Sequence, residues 1–197
     1  MTRIVLLAAA AASVLALAAC NKPANENKGA ATPAEQAATP DANPAATVPT
    51  PANEAAAPVF VTKAAAGDMF EIAAGRAAAQ KAANPEVKKF ARMMIEAHTK
   101  TTEGLKSAVT SSGQTFALPT TLPSDLQAKL DDLSKKTGAD FDRAYMEIMV
   151  DAHQDALNLM QRFAQDGDVA PIKQFAAATA PAVQEHLTKA KGIRDAL

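Results

Sequence analysis

A chain of 197 residues favours one folded domain with room for a tail. Its 20 Lys+Arg against 21 Asp+Glu leave a net charge of −1 with no run of basic residues, which excludes the clustered positive surface of a nucleic-acid binder. Hydrophobic residues reach 48% while aromatics are 4% and Trp is absent, so alanine carries the apolar count; that favours closely packed helices over a sheet core of alternating Val, Ile and aromatics.

The chain opens on Met1-Thr2-Arg3, a short positive start, followed by an apolar run from Ile4 to Leu17 broken only by Ser13. That run is too short for an ordinary spanning helix and suits the apolar region of an export signal. Leu17-Ala18-Ala19-Cys20 then resembles the lipobox of bacterial lipoproteins, and Cys20 is the one cysteine of the chain. The resemblance implies that residues 1–19 are removed and that Cys20 becomes the lipid-bearing first residue, leaving no thiol for a disulfide. Several acyl chains at Cys20 would form a firm membrane anchor. Aspartate after the cysteine commonly signals inner-membrane retention in such proteins. Asn21 therefore implies the outer membrane, facing the periplasm.

Residues 20–57 read as a linker. Prolines stand at 23, 33, 40, 44, 49 and 51 among many alanines, with no aromatic residue. Too little apolar area is available there to offset chain entropy, so the composition predicts a disordered leash. In polyproline conformation it would reach ~100 Å at full stretch.

From Pro58 to residue 197 the punctuation is helical. A first long helix is predicted over about 58–82. Asn84, Pro85 and Glu86 supply an N-cap, a first helical residue and an acid at the positive helix end, opening a second helix to about Ser112 with Gly113 after it. A polar stretch from Gln114 to Pro123 follows. Ser124-Asp125-Leu126-Gln127 reads as a capping box for a short helix to Thr137, stopped by Gly138. Asp140 is expected to cap a third long helix over 141–165, and Asp168 a fourth over 169–195. Apolar residues recur at three-four spacing, as in Val87, Phe90, Met94 and Leu105, or Phe141, Tyr145, Met149 and Met160, or Ile172, Phe175, Val183 and Ile193. Charges such as Lys88, Lys89, Asp131 and Asp132 fall on the outer faces. The expectation is an all-α four-helix bundle with a short extra helix in the connection between the second and third long helices.

The pattern of Phe60-Val61 with Gly67 and Glu71, Val87 with Phe90-Ala91 and Met94, His98-Thr99, Phe141-Asp142 with Tyr145, His153, and Phe175-Ala176 through Pro181 to His186-Leu187 resembles the ferritin-like family called "domain of unknown function 4142". The likeness covers about 58–190. Where members often carry an acid just before the histidine of the second helix, this chain has Ala97. The resemblance implies a ferritin-like bundle in the cell envelope and brings no established activity.

Three histidines lie one to a helix. His98 and His153 sit at mid-helix, as does Glu71, so they share a level; His186 lies about a turn off it. Met94 and His98 are four apart, as are Met149 and His153, which puts each pair on one helix face. Imidazole with thioether suits a transition metal of copper type, especially Cu(I). His98, His153 and His186, with Met94, Met149 or Glu71 completing the sphere, are the candidate ligands. The same residues also read as core filling by methionine and a buried His–Glu hydrogen-bond network that needs no ligand. A di-iron oxidase site needs Glu-x-x-His on two helices, whereas Glu96 is two before His98 and Glu185 is adjacent to His186. No serine stands in a nucleophile motif. Pro181 falls inside the fourth helix, one turn before His186, where it either opens a pocket or bends the helix around the core. The leading reading is non-enzymatic: a tethered bundle serving envelope maintenance or stress through contacts with envelope proteins or a bound ligand. The alternative is transition-metal binding or buffering through a His/Met core site.

Overall fold

Alanine-rich sequence punctuated by proline at helix starts gives five helices and no strand among the described residues, 55–197, of a computed structural model. They are α1 (Ala57–Lys81), α2 (Pro85–Ser111), α3 (Ser124–Ser134), α4 (Gly138–Asp166) and α5 (Ala170–Asp195). The export signal, Cys20 and nearly all of the predicted linker lie outside the described residues. No helix among those described is long and apolar enough to cross a membrane.

Three-residue turns fold α1 back on α2 and α4 back on α5, making two antiparallel hairpins. The hairpins pack so that α1 lies against α4 and α2 against α5. Phe60 near the start of α1 stacks on Phe163 near the end of α4, with ring centroids 4.2 Å apart. Phe90 near the start of α2 meets Tyr145 near the start of α4. Hence α1 and α5 run one way and α2 and α4 the other. The connection from Ser112 to Thr137 must return along the bundle, and α3 lies in it, packed on α1 and α4. One long crossover in a four-helix bundle is the ferritin-like arrangement.

Close approach follows from small side chains. At Gly75 a Cβ would stand 3.2 Å from the Ala91 carbonyl oxygen and 3.0 Å from Ile95, so glycine sets the α1–α2 separation. The predicted end of α2 is confirmed: Ser112 caps it and Gly113 takes φ 67°. Asn84 caps α2 as expected, accepting from Glu86 N at 2.8 Å.

Three predicted caps are corrected. Ser124 is the first residue of α3 and makes no cap, because the helix begins directly after Pro123. Asp140 lies exposed inside the first turn of α4, whose N-cap is Thr137. Asp168 precedes the N-cap of α5, Val169, and instead accepts from the first amide of α1, Ala57 N, at 2.9 Å. The turn before α5 carries that carboxylate across to the uncapped start of α1. Asp142, unremarked as a cap in the sequence, is buried and accepts from Ala83 N and Asn84 N at 3.0 and 2.7 Å. It thereby holds the α1–α2 turn to the start of α4.

The core is in two pieces. One apolar cluster around Phe60, Leu105, Phe163 and Ile172 fills the end where α1 starts. The other, around Phe70, Phe90, Met94, Tyr145, Met149 and Leu187, fills the remainder. Buried polar side chains (Asp68, Glu71, His98, His153 and Thr179) are gathered at mid-bundle.

Candidate metal centre

Glu71 and Asp68 are three apart on α1 and so share its inward face. His98, at the centre of α2, fits between them. Its Nδ1 lies 2.7 Å from Asp68 Oδ1 and its Nε2 2.8 Å from Glu71 Oε2. The Thr102 hydroxyl is 3.0 Å from Asp68 Oδ2 and 2.8 Å from the His98 carbonyl oxygen, which braces the carboxylate. From α4, His153 donates Nδ1–H to the Met149 carbonyl oxygen at 2.8 Å and brings Nε2 to 3.3 Å from the same Glu71 oxygen. His186 of α5 completes the group. The imidazole centroids are 5.6 Å (His98–His153), 6.1 Å (His98–His186) and 5.5 Å (His153–His186) apart.

His186 therefore joins the level from which its sequence position set it a turn away. Side chains lean toward the N-terminus of their own helix. The rings on α2 and α4 lean one way and the ring on α5, running oppositely, leans back to meet them.

The polar atoms at the centre are only partly spent on one another: His98 Nε2 pairs with Glu71 Oε2 at 2.8 Å, and His153 Nε2 approaches the same oxygen at 3.3 Å. His153 Nε2 and His186 Nδ1 are buried without a hydrogen bond and face that pair. One nitrogen from each histidine lies within 4.8 Å of the others. Bonds of ~2.0 Å to a shared ion would bring such nitrogens to roughly 3.3 Å, a closure within reach of side-chain rotation. The Nδ1 atoms of His98 and His153 are already engaged by a carboxylate and a main-chain carbonyl, the arrangement that fixes a ligating histidine with Nε2 inward.

Electrostatics divide the imidazoles. Burial opposes charge on His98, but the Glu71 carboxylate and the hydrogen bond to Asp68 prevail and push its pKa up to about 10. Burial, followed by the like charges of His153 and His98, pushes His186 down to about 4, leaving it a neutral ligand at pH 7. Burial also opposes charge on Glu71, yet the histidines around it, His98 foremost, hold its carboxyl below the usual range. Asp68 is raised by burial, which its hydrogen bond to His98 only partly offsets.

Of the residues singled out in the sequence, Glu71, His98, His153 and His186 are brought together. Met94 and Met149 are fully buried in the adjoining apolar cluster, and Met149 serves the group through its main-chain carbonyl. Pro181 lies on the exposed side of a helix that continues through it. Glu96 and Glu185, the carboxylates a di-iron reading would have used, are exposed. Sequence reasoning missed Asp68 and Thr102. The signal for Asp68 was its position one turn before Glu71 on a helix otherwise nearly free of acids.

The chain belongs to the family described as "Domain of unknown function (DUF4142)", whose match spans residues 42–193. It begins ahead of the start near 58 suggested by the residue pattern. No curated protein matches the sequence. Among solved structures, the fold is similar to a DUF305 fragment from Deinococcus radiodurans at TM-score 0.60 and 13% identity, covering 70% of this chain and 94% of that one. It is similar to CopM in the Cu(II)-bound form at TM-score 0.59 and 18% identity, covering 71% and 96%. A putative secreted DUF305 protein from Streptomyces coelicolor gives TM-score 0.56 at 12% identity, covering 69% and 89%. At these identities the likeness is one of fold.

Proposed function

We propose that this chain binds a divalent transition metal, copper(II) by preference, at His98, His153 and His186 with Glu71 as the fourth ligand, and that it stores or buffers the ion in the cell envelope. The observation that carries the reading is the convergence of three imidazoles, two buried and one half-buried, with one nitrogen from each within 4.8 Å of the others beside the Glu71 carboxylate, and with the inward nitrogens of His153 and His186 lacking a hydrogen bond. A buried polar atom left unmet costs ~1–3 kcal/mol, and one ion would satisfy His153 Nε2 and His186 Nδ1 together while taking the place of the proton between His98 and Glu71. The converging donors are nitrogen and oxygen, a set that favours Cu(II) among divalent ions over the Cu(I) that thioethers would select. The bundle of similar fold that was solved with Cu(II) bound supports the choice. Anchoring at Cys20 in the outer membrane, with the bundle held off on its linker, would place such a store in the periplasm.

Calorimetric titration of the chain with Cu(II) and Zn(II) tests this. One ion per chain is expected, with nitrogen hyperfine structure in the Cu(II) electron paramagnetic resonance spectrum. His186→Ala is the informative variant, because that ring makes no hydrogen bond through its buried nitrogen and can be removed at little cost to folding. It should weaken Cu(II) binding at least tenfold. Equal affinity in the parent chain and the variant would end the proposal. Binding should also release close to one proton per ion at pH 7.5, since His98 gives up the proton on Nε2. Titration in buffers of different ionisation enthalpy measures that number.

A further inference from the structure

A cavity of about 700 Å³ lies between α1, α3 and α4, and it reaches the polar centre: Glu71, His98 and Asp68 are among its walls. Small residues make the gap, including Ala64, Gly67, Ala152 and Ala156. At Gly67 an added Cβ would meet nothing within 4 Å. The outer part of the same cavity carries Asp151 and Asp155, four apart on α4, and Asp125 on α3, all exposed. Lys63 and Lys129 line it as well, so the wall is of mixed charge with carboxylates in excess. Its inner wall includes two of the four proposed ligands, the buried and mutually paired Glu71 and His98.

We propose that this cavity is the path along which the metal ion exchanges between solvent and the three histidines, with Asp151 and Asp155 as its first stop. The proposal rests on the metal reading above and adds to it. A structural metal is closed off, whereas a site that opens on a water-accessible cavity keeps its ion exchangeable, as a store requires. Carboxylates at the outer end concentrate a divalent cation and pass it inward to a fixed set of nitrogens.

Stopped-flow uptake of Cu(II) by the full chain, and its removal by a chelator, test the path. Gly67→Phe fills the cavity from a mid-helix position where glycine is a poor helix former, so folding is not put at risk. It should slow uptake and removal together by tenfold or more while the equilibrium affinity stays within threefold. Asp151→Asn with Asp155→Asn should slow uptake several-fold at low salt, an effect that fades as salt screens the charge. Gly192→Phe, on the exposed far part of α5 with open space at its Cβ, is the control and should exchange at the parent rate. Parent-like exchange in Gly67→Phe would overturn the path and direct attention to the half-exposed side of His186. Slowing of equal size in Gly192→Phe would overturn it too. A parent chain that takes up no Cu(II) would instead overturn the metal reading itself.

Discussion

On His98, a proton would compete with the proposed metal ion for the same nitrogen. The metal-free chain places an imidazolium between two carboxylates, and its pKa of about 10 lies above the ordinary 6.5. Its contribution to stability is complete below pH 6.5 and is lost as pH rises through 10. His186 has the opposite sign. With its pKa depressed to about 4, its contribution is complete above pH 6.5 and is lost as pH falls toward 4. Urea unfolding of the metal-free chain from pH 4 to 10 should therefore show greatest stability near pH 6.5, as far as these two groups decide it. His186→Ala should flatten the acid side and His98→Gln the alkaline side. A profile identical in all three proteins would refute the assignment of charge. His98, His153 and Glu71 could be found by counting from helix ends, because inward-facing mid-helix positions share a level; the same count set His186 a turn away, since it ignores the lean of the side chain. Asp68 was harder to see: its place one turn before Glu71 was the one local signal, and an acid there looks like a solvated charge until the partner that buries it, His98, is known.

Among the elements, spacing in sequence located the four long helices well, because three-four apolar stripes and proline-led starts are local signals. Capping was less legible. A carboxylate caps whichever amide the tertiary fold brings to it, so Asp142 and Asp168 serve helices remote in sequence while Ser124 serves none. This gives a measurable contrast. Asp142→Ala removes a buried carboxylate and leaves two amides of a half-exposed turn without their acceptor, and should destabilise the chain by about 2 kcal/mol. Ser124→Ala, which the local sequence marks as the loss of a cap, should leave the urea midpoint unchanged. A comparable loss in the two variants would restore the local capping box. Pro181 belongs to the same scale: its ring sits on the exposed face of α5, where water can serve the carbonyl that lacks a donor.

At the scale of the whole bundle, the two apolar clusters of the described residues are separated by a layer of buried charged and polar groups, which would lower stability for the sake of the proposed site. Replacing buried ionic groups with apolar side chains of similar volume is often stabilising by about 1–4 kcal/mol. A variant carrying Asp68→Ala, Glu71→Leu, His98→Leu, His153→Met and His186→Leu is thus expected to be more stable to urea by that order, helical by circular dichroism, and unable to bind Cu(II). A variant that is less stable than the parent would mean that the layer serves packing instead. The ferritin-like course of the chain was legible from helix number and loop lengths. The division of the core was not, because apolar stripes running through both clusters look continuous when each helix is read alone.

Each hairpin brings two of the four proposed ligands: Glu71 and His98 come from one, His153 and His186 from the other. Neither half could hold the ion by itself, so affinity for it would double as a gauge of how firmly the halves are seated together. Anything that pries them apart, even far from the imidazoles, would be felt as metal let go.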